Sequence, residues 1–469
     1  MNYRLVARTL GILLGLLSAS MLVALPFGLA FGEWGAVAAL LESMALGGLF
    51  SGALFLAGRN ARGEFFRREA LAVVGLAWIL AAGIGALPFL LSGALHGMAN
   101  AYFESMSGLT TTGSSVMTDI EGTAKSILLW RSFLHFLGGL GIVVLFVAVL
   151  PLIGAGGRTL FKQEAPGPQP EGMTPRIKDT ALKLLKLYVG LNVVQAILLM
   201  VAGMSFFDAV NHAMATIATG GFSTRNASVE SFQSPMVEWI LIVFMFLAGT
   251  NFSLHLEALR GRFSVYWRDP EFRVYAGITM AATSLLAVVL WLHPFDEAVA
   301  GEALSPGGGI PLRDALFNVV SVTTTTGFGT VNFEHWPPGA RFLLLMVMFV
   351  GGCAGSTGGG LKVIRWLILA KVAVFSLQAS ISPRRVKTLK LAGRAIDRGV
   401  AEDVQVFFFL WMAVVFGGTI AIALLSPQQS MMTSLSAVIA TLNNIGPGLE
   451  GVGPYMNYAS QPGPAKWLL

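Results

Sequence analysis

Nine stretches of this chain are apolar enough and long enough to cross a lipid bilayer, and that feature removes most soluble folds from consideration. A spanning helix needs about 20 mostly apolar residues. Among the 469 residues such stretches fall at 10–31, 36–56, 70–91, 127–152, 182–204, 237–256, 274–292, 342–374 and 404–425. The eighth is interrupted by glycines. Arg4 and Arg8 precede the first stretch, as in a secretory leader. That stretch is too long for a leader and a second follows at once, so the sequence predicts a retained helix. Charged residues make up only 12% of the chain, against about 25% in an average soluble domain. The single cysteine, Cys353, excludes a disulfide framework and any Cys-based metal centre.

The charges orient the helices. The N-terminus and the segments 57–70, 154–186, 257–275 and 361–402 hold 25 of the 31 Lys and Arg residues. The positive-inside rule makes these segments cytoplasmic. The rest of the chain holds 6 basic and 15 acidic residues. The net charge of +6 is thus a record of membrane insertion. No segment interleaves aromatic and basic residues as a nucleic-acid surface would, and no nucleic-acid partner is expected.

The segments on the other side repeat. Each has a short apolar stretch of about 12 residues, too short to span, and then a glycine motif. The first reads Glu104-Ser-Met-Ser-Gly-Leu-Thr-Thr-Thr-Gly113, the second Asn211-His-Ala-Met-Ala-Thr-Ile-Ala-Thr-Gly220. The third reads Asn318-Val-Val-Ser-Val-Thr-Thr-Thr-Thr-Gly327, the fourth Ala437-Val-Ile-Ala-Thr-Leu-Asn-Asn-Ile-Gly446. The glycines are 107, 107 and 119 residues apart. One Thr-Thr-Gly is an ordinary turn signal; four in the same topological place predict helix, re-entrant half-helix, extended glycine segment and helix, repeated.

Non-helical backbone is tolerated in a membrane only where protein buries it or it lines a wet path. Four such segments around one line would present carbonyl oxygens able to replace the water shell of a cation. The half-helix before each glycine would direct its negative dipole end to the same place. A pore is one reading; a carrier with broken helices and alternating access is another. A shortened, non-transporting interaction subunit is a third.

Three further motifs carry a family resemblance: Leu129-Trp-Arg-Ser-Phe-Leu-His-Phe-Leu-Gly-Gly-Leu-Gly, Asn251-Phe-Ser-Leu-His-Leu-Glu-Ala-Leu-Arg-Gly-Arg and Gly351-Gly-Cys-Ala-Gly-Ser-Thr-Gly-Gly-Gly-Leu-Lys-Val-Ile-Arg365. With the four glycine motifs, the chain resembles the Trk/Ktr/HKT superfamily of cation transporters over nearly its whole length. The resemblance implies an all-α membrane fold of four helix–pore-loop–helix repeats around a central pore, after two extra helices. The expected units are residues 1–58 (the two helices), 66–155, 178–262, 272–380 and 400–469 (the four repeats). It implies a potassium-binding filter of main-chain carbonyls at Thr111, Thr112 and Gly113; Ala218, Thr219 and Gly220; Thr325, Thr326 and Gly327; and Asn444, Ile445 and Gly446. In plant relatives a serine in the first filter goes with sodium, so Gly113 favours potassium.

The segment 351–360 has six glycines in ten residues. Each costs about 1 kcal/mol relative to Ala in a helix, so the helix should break there. The resemblance makes this a gate below the filter, formed by Gly351, Gly352, Gly355, Ser356, Thr357, Gly358, Gly359 and Gly360. A nucleotide P-loop over residues 355–362 lacks the required spacing and a preceding strand.

Glu104, Asn211 and Asn318 align in the half-helices, with Asp208 nearby, and are expected to hold those helices or face the pore mouth. Glu42 is expected to hydrogen-bond a neighbouring helix. His135, His212 and His255 are expected in packing or polar contacts, and the six histidines show no metal spacing. In the family a further spanning helix follows the fourth filter; here the sequence stops at Leu469, where it would begin, so the fourth repeat is expected without its last helix. The basic residues Arg384, Arg385, Lys387 and Lys390 suit topology and anionic lipid. The resemblance adds a cytoplasmic TrkA-like regulatory subunit that binds NAD(H) and ATP or ADP, a homodimer, and a bacterial inner-membrane location. It implies no enzyme activity and no cofactor on this chain; K⁺ is the cargo.

Overall fold

The computed structural model describes residues 1–61, 66–149, 177–293, 311–381, 390–391, 394–396 and 398–469. These residues form an all-helical membrane fold, with one two-residue ladder pairing Lys390–Leu391 with Arg394–Ala395. Seven described helices are long and apolar enough to span a bilayer. Their outward residues remain apolar: Leu49, Val201, Trp291 and Leu424 are each at least 70% exposed. Such exposure is costly in water and favourable in lipid tails.

The chain opens with α1 (Tyr3–Ser20), a 3₁₀ turn and α2 (Leu25–Ala30), which together make one span. Helix α3 (Trp34–Gly58) returns antiparallel, and α1 packs closely on it. Gly11 and Gly58 allow that approach, since a Cβ at either would meet backbone of the other helix. Glu42 lies exposed on α3, where the sequence reading expected a bond to another helix.

Four units follow. The first comprises α4 (Arg67–Leu91), a short helix α5 (Met98–Leu109) and α6 (Lys125–Val149), with a kink at Gly141. The second comprises α7 (Ile177–Val201), α8 (Phe206–Ile217), α9 (Pro235–Ala248) and α10 (Phe252–Ala258). After α11 (Ser264–Arg268), the third comprises α12 (Pro270–Leu292), α13 (Pro311–Thr323), α14 (Pro338–Met348) and α15 (Val363–Ile381). The fourth comprises α16 (Arg398–Leu425), α17 (Met431–Leu442) and α18 (Gly463–Leu468).

Two expected spans are broken. The stretch 342–374 breaks between α14 and α15, as its glycines require. The stretch 237–256, expected to be continuous, instead turns through 103° between α9 and α10. Gly249 caps α9 and the Asn251 side chain accepts from Ser253 N to start α10, so the turn has its own start and stop signals. The apolar run continues across both and hides them. Of the basic residues expected on the cytoplasmic side, Arg384, Arg385 and Lys387 lie outside the described residues, while the Lys390 carbonyl accepts a hydrogen bond from Lys371 Nζ at 2.8 Å.

Candidate ion-conducting site

The short helices α5, α8, α13 and α17 all end in the same way. One residue past each C-cap, the chain enters the left-handed region: Thr111 (φ 58°), Thr219 (φ 55°), Thr325 (φ 61°) and Asn444 (φ 57°). The next N–H reaches back to the last turn: Thr112 N to Ser107 O at 2.8 Å, Gly220 N to Ala215 O at 2.7 Å, Thr326 N to Ser321 O at 2.8 Å and Ile445 N to Ala440 O at 2.8 Å. Glycine ordinarily fills this helix-ending position. A β-branched residue with positive φ is strained, and such strain collects at functional sites.

Two residues further on, the chain enters positive φ again, at Gly113, Gly221, Gly327 and Gly446. The expected second-repeat glycine, Gly220, is therefore displaced by one: it occupies the position of Thr112, Thr326 and Ile445. Sequence reasoning missed Gly221 because Thr-Gly-Gly offers two candidates, and counting from the end of α8 resolves the ambiguity. A cavity at the outer mouth is lined by Gly113, Gly221, Gly327 and Gly446 together.

These glycines close a ring. A Cβ added at Gly113 would strike the carbonyl of Gly220, one at Gly221 that of Thr326, and one at Gly327 that of Ile445. One at Gly446 would lie 2.9 Å from the Thr112 carbonyl. Each repeat thus abuts the next, and the fourth returns to the first. Asn444 tightens that closure: its Nδ2 donates to Thr110 O at 3.0 Å and its Oδ1 accepts from Thr112 Oγ1 at 3.1 Å.

Within the ring, no hydrogen bond among the described residues falls on the carbonyls of Thr111, Thr112, Thr219, Gly220, Thr325, Thr326, Asn444 or Ile445. All of these residues except Asn444 are buried. Buried carbonyls are nearly always paired, so eight unpaired ones in a closed ring demand an explanation. Ala218 differs: its carbonyl accepts from Thr219 Oγ1 at 2.6 Å.

Buried polar groups brace the ring. Glu104 on α5 accepts from Arg131 Nε at 2.6 Å, Val116 N at 2.8 Å and Ser115 Oγ at 2.9 Å. Arg131 donates onward to the Ser223 carbonyl at 3.0 Å, so α6 of the first unit holds the second. Glu238 on α9 pairs with Arg313 on α13 at 2.9 Å, joining the second unit to the third. Asp208 accepts from Thr224 Oγ1 at 2.5 Å and pairs with Arg225 at 3.4 Å. Asn211 and Asn318 donate to carbonyls one turn back, at 2.7 and 2.9 Å. The acids and amides of the short helices are thus in place-holding contacts. His212 and His255 each engage both ring nitrogens, whereas both nitrogens of the fully buried His135 lack a hydrogen-bond partner among the described residues. The His135 ring lies directly behind Gly220. No metal-holding group of His, Cys, Asp or Glu occurs among the described residues.

Above the ring, residues 448–461 form a strap tied to the other three units. Tyr458 N donates to Ser115 O at 2.8 Å, and Glu450 N to Glu334 Oε1 at 2.6 Å. The Tyr455 hydroxyl donates to Glu230, and burial together with that carboxylate raises its pKa, keeping the proton in place.

Below the ring, the glycine loop between α14 and α15 touches three of the ring segments. Thr357 Oγ1 lies 2.9 Å from Ile217 O and 3.2 Å from Ala248 O. Gly359 N donates to Thr325 Oγ1 at 2.6 Å. A Cβ on Gly359 would lie 2.8 Å from Asn443 O. The loop also interlocks with the break between α9 and α10: Cys353 N donates to Gly249 O at 2.8 Å and Phe252 N to Gly355 O at 3.0 Å. Gly351 N donates to Leu361 O at 3.0 Å, and Gly352 O accepts from Val363 N at 3.1 Å. Ser356 Oγ donates to Cys353 O, the Gly358 carbonyl accepts from Lys362 Nζ, and Gly360 takes φ 67°.

A closed ring of four such glycine segments inside a multi-pass helical membrane protein suits a cation-transport protein. The comparisons agree: the TrkH profile, described as a cation transport protein, matches residues 41–462. The chain belongs to the TrkH family, whose members are transporters rather than enzymes. It is 39% identical over 473 residues to the Trk system potassium uptake protein TrkH of Salmonella typhimurium, covering 100% of this chain and 95% of that one. It is 33% identical to the Trk system potassium uptake protein TrkG of Escherichia coli, over 81% of this chain and 77% of that one. The crystal structure of the potassium transporter TrkH from Vibrio parahaemolyticus superposes with a TM-score of 0.86 at 34% identity, covering 100% of this chain and 95% of that one.

Proposed function

We propose that this protein takes up K⁺ across the bacterial inner membrane through the ring, which acts as a main-chain carbonyl filter. The observation that carries the reading is the set of eight ring carbonyls without a hydrogen-bond donor. A dehydrated K⁺ needs such oxygens in place of water. The relatives' names, Trk system potassium uptake proteins, support the choice of ion. The filter comprises the residues named from the sequence, except that the second repeat shifts by one, to Thr219, Gly220 and Gly221. A potential of about 100 mV supplies about 2.3 kcal/mol per monovalent cation, enough to drive uptake without a coupled ion.

The glycine loop is the gate. It packs against the inner ends of the second, third and fourth filters, and small residues allow two backbone arrangements of similar energy. A TrkA-like nucleotide-binding subunit docks on the basic cytoplasmic face, and two copies of the chain pair, each with its own pore. Flux of K⁺ and Na⁺ in proteoliposomes tests the filter. The native chain is expected to prefer K⁺, and Gly113→Ser to lose that preference, because its side chain meets the Gly220 carbonyl. Equal K⁺ and Na⁺ selectivity in the two forms would overturn the assignment.

A further inference from the structure

The fourth corner of the ring differs from the other three. The Gly446 carbonyl accepts two hydrogen bonds, from Ser114 Oγ at 3.0 Å and from the Tyr458 hydroxyl at 2.9 Å. A backbone carbonyl has two lone pairs, so none remains for an ion. Among the described residues, the equivalent carbonyls of Gly113, Gly221 and Gly327 receive no hydrogen bond. Gly446 is also buried where those three are partly exposed, and its φ is 97° against 80°, 75° and 82°.

We propose that Tyr458 and Ser114 are specificity-determining residues that withdraw the Gly446 carbonyl from the outermost ion-coordinating layer. That layer then has three carbonyls and one side open to water. The inference rests on the filter reading above. Both donors come from outside the fourth filter segment, Ser114 from the first repeat and Tyr458 from the strap. Tyr458 is held firmly: it is buried, its N–H is bonded to Ser115, and its ring centroid lies 5.4 Å from that of Phe103. A layer that keeps water on one side asks less dehydration of the entering cation. It therefore discriminates less between K⁺ and the more strongly hydrated Na⁺ than a four-carbonyl layer would. Restoring the fourth oxygen should sharpen selection.

The test is K⁺ and Na⁺ flux through the full chain in proteoliposomes for Tyr458→Phe, Ser114→Ala and the double variant. Each single change is expected to raise the K⁺/Na⁺ flux ratio about threefold to fivefold, the scale of one net hydrogen bond, and the double variant further. An unchanged ratio in the double variant overturns the proposal, whatever happens to total flux or thermal stability. That result would reduce Tyr458 to a brace. If Tyr458→Phe fails to insert, Ser114→Ala decides alone, since it removes only a hydroxyl from the other lone pair. A native chain that shows no K⁺ preference would fail the filter reading itself, a result distinct from a selective native chain with indifferent variants.

Discussion

The hydroxyl of Thr325 accepts a hydrogen bond from the main-chain N–H of Gly359 at 2.6 Å. One residue belongs to the third ring segment and the other to the glycine loop, so ring and loop share a direct bond. Thr325→Val keeps the branched shape and removes the acceptor, leaving the Gly359 N–H unsatisfied. A net loss of about 1 kcal/mol from the packed arrangement corresponds to an approximately fivefold rise in the open-to-closed ratio. Single-channel recording should show that rise in Thr325→Val and near-native gating in Thr325→Ser.

Gly220 and Gly221 should respond oppositely to a second change. A Cβ at Gly221 meets the Thr326 carbonyl and sits at φ 75°, whereas the nearest atoms to one at Gly220 are those of the His135 ring. His135→Ala is expected to restore K⁺ selectivity to Gly220→Ala and to leave Gly221→Ala unselective. Flux ratios of the two double variants check this; rescue of both would refute the one-residue shift.

Arg131 and Glu104 form a buried pair, 2% and 0% exposed. Removing one partner strands a charge, at a cost of about 3–5 kcal/mol. Arg131→Met should lower the thermal unfolding midpoint in detergent markedly. Adding Glu104→Gln should recover much of the loss, because the amide oxygen still accepts from Val116 N.

Glu271, at the start of α12, accepts with one oxygen from Ala354 N at 2.7 Å and Ile364 N at 3.0 Å. It therefore clasps the glycine loop near both ends. Glu271→Ala leaves the buried Ala354 N–H and the half-buried Ile364 N–H unpaired, the buried one at a cost of about 1–3 kcal/mol. Resting flux should rise with the K⁺/Na⁺ ratio unchanged, and Glu271→Gln should lie between the two. A changed ratio with unchanged resting flux would contradict a gating role.

The sequence made legible whatever is written locally. Bilayer-length apolar runs, loop charge and a decapeptide with six glycines each determine a short piece of structure without reference to distant residues. The four glycine motifs were readable for the same reason. The turn at Gly249 was not, because hydropathy averages over the Gly-Thr-Asn signal inside an apolar run. The second-repeat register was not, because adjacent glycines are equivalent until the end of α8 is fixed. Glu42 was misplaced because an acidic residue in a span does not disclose which way its helix face turns. The two donors on Gly446 were beyond reach: Ser114 lies 332 residues away along the chain.

The strap over the ring has a consequence for how the four units diverge. Because it joins the last unit to the outer loops of the other three, the assembly does not depend on matching sequences at its corners. Such a single-chain quartet is free to drift from fourfold symmetry, so one corner can acquire duties that identical subunits would have to share.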